Sequence, residues 1–96
     1  MPREYELMPQ HDARKSFYGK ARVRVDDDGN KFLISYGTFV MWWDAKTKNL
    51  HRLWDSWSST TGRHVTEFSR QMEGCAEVTK KEWDRMPVEE PPYPLG

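Results

Sequence analysis

The chain has 96 residues and weighs 11.4 kDa, which is room for one small domain. Fifteen Lys plus Arg balance fifteen Asp plus Glu, so there is no global field to hold nucleic acid or an anionic membrane. The single Cys excludes an internal disulfide framework or multi-Cys zinc ribbon, and the longest apolar run, Phe39–Trp43, is far too short to span a bilayer.

Residues 1–15 carry mixed charge with scattered Tyr5, Leu7 and Met8 and read as a loosely ordered segment, or at most one short strand. No apolar stretch follows Met1, so the reading is a cytoplasmic protein. Residues 16–86 contain no proline and read as the single folded domain. Val23 and Val25 alternate with Arg22 and Arg24, the period-2 pattern of a half-buried strand. Asp26-Asp27-Asp28-Gly29-Asn30 supplies a hairpin turn; it lacks the alternating ligands and final Glu of a calcium loop. Phe32, Ile34 and Tyr36 form the next alternating face, with Gly37 marking a bend. Phe39, Met41 and Trp43 follow on one face, and Val40 and Trp42 point to the other. After a turn at 44–49, Leu50–Trp54 is a further short strand. These closely joined segments predict an antiparallel meander of three to four strands.

A hydroxyl-rich stretch, Ser56 to Thr61, precedes a helical period in which Val65, Phe68 and Met72 share one face. Arg63, Glu67 and Arg70 fall on the other side, and Gly74 is the expected stop. Thr79-Lys80-Lys81-Glu82 is a capping-box pattern that starts a short final helix ending before Pro87. The fold class is therefore α+β, a small meander packed by one main helix in the C-terminal half plus a short last helix. The tail, residues 87–96, is proline-rich and reads as extended and disordered. Its sharper reading is a ligand segment anchored by Tyr93.

No catalytic constellation appears. Cys75 has no neighbouring base, and His11, His51 and His64 show no zinc spacing, so neither catalytic nor metal-ligating residues nor a cofactor is assigned. An enzyme would have to be improvised from Tyr36, His64 and Glu67. The densest polar group is Thr60-Thr61-Gly62-Arg63-His64, at a helix start where backbone N–H groups favour anions. With Arg22 and Arg24 it makes an anion or nucleic-acid candidate. The competing reading has the threonines capping the helix and Gly62 packing on the sheet. Trp42, Trp43, Trp54 and Trp57 are the partner-binding candidates, because Trp buries large area and keeps a polar handle. Arg22, Arg24 and Arg52 near them would allow single-strand stacking.

Lys15-Ser16-Phe17-Tyr18-Gly19-Lys20-Ala21, Ser35-Tyr36-Gly37-Thr38-Phe39-Val40, Leu53-Trp54 and Trp57-Ser58 recur in a known pattern. It continues with Thr60-Thr61-Gly62-Arg63-His64-Val65, Phe68 and Thr79-Lys80-Lys81-Glu82-Trp83. On these elements the chain resembles a family of short phage and Firmicute proteins that form a domain of unknown function. The resemblance implies a mobile-element protein inside a bacterial host. The expectation is a non-enzymatic module that binds a host or phage protein, a host defence nuclease in its sharpest form. The alternative is nucleic-acid or anion binding through the helix start with Arg63 and His64. A second copy, paired through an open sheet edge, is a further partner that a meander allows. No membrane partner is expected.

Overall fold

A computed structural model of the chain describes residues 3–8 and 20–95. Its elements are β1 (Arg3–Glu6), β2 (Ala21–Val25), β3 (Lys31–Ser35), β4 (Thr38–Asp44), β5 (Asn49–Arg52), α1 (Ser59–Gln71) and α2 (Lys80–Arg85). The strands form one antiparallel sheet in chain order, so the α+β class holds. The meander has five strands rather than three or four. The added strand is β1, within the stretch read as loose. It pairs with β2 because Glu4 meets two arginines, at 2.6 Å from Arg22 and 3.5 Å from Arg24, while Leu7 continues into the core.

One face of the sheet carries Val23, Leu33, Met41 and Trp43, and packs with Leu7 against Val65 and Phe68 of α1, Met72 just after it and Trp83 of α2. Burying such side chains is the main stabilising term, about 1.5–3 kcal/mol each. The register slips between β3 and β4. Leu33 faces Met41 but Ile34 faces Phe39, which leaves Val40 as a bulge residue. Both Val40 and Met41 consequently reach the core. Phe39 turns away from Met41 and Trp43, correcting the uniform alternation expected for that strand.

α1 begins with Ser58 as its cap, the side chain accepting from Thr61 N at 3.1 Å. The cap was expected from the threonines. Thr61 instead points inward, where its hydroxyl lies 2.9 Å from Ser35 Oγ. Ser35 Oγ is also 2.8 Å from His64 Nδ1, so the chain seals a small hydroxyl–imidazole network between sheet and helix. Gly62 packs on Trp57 rather than on the sheet, and a Cβ there would run into the indole. Glu67, expected on the polar side of α1, is buried and accepts from Gln71 Nε2, which also donates to Met8 O.

The capping box of α2 forms as expected, with Thr79 and Glu82 bonded reciprocally. Arg52 is buried against α2, its guanidinium over the Trp83 ring at 4.7 Å and bonded to the carbonyls of Trp54, Trp83 and Met86. That geometry suits a cation at a helix C-terminus. It also removes Arg52 from any stacking surface.

Candidate functional site

The second face of the sheet has its own order. The strand registers align Glu4, Arg24, Phe32, Trp42 and His51 side by side, one from each strand. The result is a single row running across the sheet. Its middle is aromatic: Phe32 stacks on Trp42 at 5.5 Å and Trp42 on His51 at 4.7 Å. Phe39 packs edge-on against Phe32 at 6.4 Å, and the Arg24 guanidinium lies over the Phe39 ring. At the charged end, hydrogen bonding from Arg22 holds the Glu4 carboxyl below its usual range.

The C-terminal tail lies along this row. Prolines keep it extended, and it bends at Pro92 and Tyr93. Val88 bridges to Arg52 at the β5 edge, with Glu89 N donating to Arg52 O. The Glu89 carboxylate then meets His51 Nδ1 at 3.0 Å. Tyr93 packs against Phe32 at 5.7 Å and donates its hydroxyl to Asp26 Oδ2 at 2.7 Å. Finally Arg24 reaches Leu95 O at 3.3 Å. From Glu89 to Tyr93 is four residues, about 12 Å of extended proline-rich chain. Two strand spacings, β5 to β3, are roughly 10 Å. The two anchors, on His51 and on Phe32, thus lie on either side of Trp42 in the row. Val88, Glu89, Tyr93 and Leu95 of the proline-rich tail make these contacts.

Asp26 organises the far anchor. Its carboxylate accepts from the backbone N–H of Asp28 and Asn30 and from the Asn30 side chain as well as from Tyr93. Partial burial works to raise this carboxyl, but the bonds from Tyr93 and Asn30 win and hold it below the usual range. Burial, reinforced by the Asp26 carboxylate, pushes the Tyr93 phenol well above its ordinary value. Beyond this anchor a cavity of about 470 Å³ opens at the charged end of the row, lined by Arg3, Glu4, Arg24, Tyr93 and Leu95.

Among the described residues two side-chain polar atoms are buried without a partner, both in this row: Trp42 Nε1 and His51 Nε2. A carboxylate only accepts, so the His51 tautomer that pairs with Glu89 carries its proton on Nδ1 and offers Nε2 as an acceptor. The row thus holds one unused donor and one unused acceptor on stacked rings. An unpaired buried donor carries a penalty of about 1–3 kcal/mol.

The other residues singled out in the sequence are placed apart. Trp43 is 5% exposed on the core face, donating to Glu73 O and flanked by Lys31 and Lys48, whereas Trp42 is 8% exposed on the second face. Trp54 and Trp57 are half-buried against the core, so the four tryptophans form no common exposed platform. Thr61 and His64 are sealed inside, and Thr60 and Arg63 are half-buried on α1. Arg22 and Arg24 sit on the far face of the sheet, ion-paired to Glu4. These six are not brought together. Tyr36 is 53% exposed with its ring 5.7 Å from that of buried His64, and buried Glu67 bonds Gln71. Burial raises the Cys75 thiol, which contacts Lys48 O. Among the described residues no group of His, Cys, Asp and Glu could hold a metal ion, and no helix is long and apolar enough to cross a membrane. His11 and the resembling stretch at 15–19 lie outside the described residues.

The row could not be read from spacing. It exists only once the strand registers are known, and it joins a turn residue, a tail tyrosine and one residue from each strand. The weak signals were the doubled Trp42-Trp43, which puts one indole on each face, and Tyr93 among prolines.

A model of a family of unknown function, DUF8033, matches residues 5–85. The chain belongs to that family. The DUF8033 match runs from β1 to the end of α2, taking in Arg24, Phe32, Trp42 and His51 and leaving out the tail. Neither the curated proteins nor the solved structures include a match to this chain.

Proposed function

We propose that the chain is a non-enzymatic protein-binding module whose working surface is the cross-strand row of Arg24, Phe32, Trp42 and His51. The carrying observation is the buried, unpaired Trp42 Nε1 at the centre of an aromatic face covered by a tethered, extended segment. Aromatic rows with a spare donor suit an incoming extended chain, which brings carbonyls at regular intervals. The partner is an extended segment of another protein. In the mobile-element setting that the resemblance implies, it belongs to a host protein, with a defence nuclease as the sharpest form.

Capture from host lysate tests this with tagged wild-type chain, a Tyr93→Ala variant that loosens the tail, and a Tyr93→Ala/Trp42→Phe variant. A specific partner should be enriched by Tyr93→Ala and lost when Trp42 is also changed. Equal recovery by all three would contradict the reading. If the partner is a nuclease, adding the chain should slow its cleavage.

A second surface is favoured by one observation. The β3–β4 hairpin turns at Tyr36-Gly37, both at positive φ, 50° and 81°. Asn-Gly is the preferred pair there, yet an exposed tyrosine occupies the first position. Such strain often marks a contact residue. Tyr36→Asn should then abolish capture of a hairpin-tip partner without unfolding the chain.

A further inference from the structure

We infer that the row takes a proline-rich segment in trans, in competition with the chain's own tail. This deepens the function proposed above and rests on it. The tail, which holds three prolines between Val88 and Leu95, shows what chemistry fits: a carboxylate on His51, a phenol on Phe32 reaching Asp26, and a backbone carbonyl on Arg24. It also shows what the resident occupant fails to do. It is tethered at Arg52 by the Val88 bridge and the Glu89 N–H, and from that start it leaves Trp42 Nε1 without an acceptor. A free segment carries no such tether. It can slide along the row until a carbonyl meets the indole N–H, gaining a bond that the tail forgoes. Proline-rich chain suits this role because it is already extended and loses little freedom on binding. The row residues from Arg24 to His51 lie inside the DUF8033 match and the tail lies outside it.

The probe is a fluorescent peptide with the sequence of residues 89–95, and its control has every proline replaced by alanine. Both are titrated into full-length wild type, Tyr93→Ala and Tyr93→Ala/Trp42→Phe, followed by anisotropy and by the Trp42 indole N–H resonance. Weakening the internal competitor should tighten peptide binding by at least about tenfold in Tyr93→Ala relative to wild type. The indole resonance should move downfield as its donor becomes bonded, and Trp42→Phe should cost about tenfold in affinity. Three results would each overturn the inference. One is no binding to a Tyr93→Ala chain that still unfolds cooperatively. Another is equal binding of the alanine control. The third is a concentration-dependent dimer lost with Trp42→Phe, which would assign the row to tail exchange between copies. Should the peptide fail while lysate capture still depends on Trp42, the binding face stands and its preference for proline falls. If capture fails as well, both readings fall.

Discussion

Phe68 and Gly62 show how single positions on α1 are constrained. Phe68 is fully buried between sheet and helix, so Phe68→Ala should lose about 3 kcal/mol or more in urea unfolding. Gly62 lies in the same helix, where Ala is ordinarily better by about 1 kcal/mol. Here the rigid Trp57 indole occupies the space of a Cβ. Gly62→Ala should therefore destabilise by about 1–3 kcal/mol despite its propensity, with the Trp57 emission shifted. Tyr36 gives the opposite sign. A left-handed non-glycine residue costs about 1–2 kcal/mol, and its offsetting contacts are a Lys20 ammonium 5.8 Å from the ring and the neighbouring His64. Tyr36→Asn should raise the unfolding free energy by about 0.5–1 kcal/mol, and a loss instead would show that the ring is there for packing.

At the level of elements, the tail is held by a titratable lock. Because Asp26 has a lowered folded value, its contribution is complete above the usual Asp range and disappears as pH falls through that lowered value. Tyr93 is raised, so its contribution is complete below the ordinary phenol range and is lost only in stronger alkali. The lock is thus intact at neutral pH and opens in acid. The Asp26–Tyr93 bond is partly solvated, so Tyr93→Phe should cost about 0.5–1 kcal/mol at neutral pH and less in acid, once pH has fallen through the lowered Asp26 value. A Tyr93→Phe effect that does not change with pH would contradict the lock. Much of the element layout was legible. Val23 and Val25 marked β2, Val65, Phe68 and Met72 marked the buried stripe of α1, and Thr79 with Glu82 marked the start of α2. Period alone misplaced Phe39, because one bulge residue reverses every side chain beyond it. The core place of Leu7 and the docking site of Tyr93, itself legible as an anchor, were hidden for a different reason. Each is fixed by partners distant in sequence, and no local pattern encodes those contacts.

For the whole molecule, the sheet edges bear on assembly. The β5 edge is met by Val88 at Arg52. At the other edge, antiparallel pairing of two copies obeys a dyad normal to the sheet, so only residues on the same face can oppose one another. Self-pairing of β1 then sets Glu4 against Glu4 or Glu6 of the second copy. Like charges directly opposite are destabilising, so sedimentation at micromolar concentration should show a monomer. The chain presents two faces of different kind, a packed core under the helices and an aromatic row on which the tail is anchored. The most direct test of that division is solvent exchange at the indole N–H groups of all five tryptophans in Tyr93→Ala. The account predicts that Trp42 alone speeds up while Trp43, Trp54, Trp57 and Trp83 keep their wild-type rates. An unchanged Trp42 rate would show that the tail is not its cover. A common acceleration of all five would show that the tail is part of the core and cannot leave without unfolding the chain.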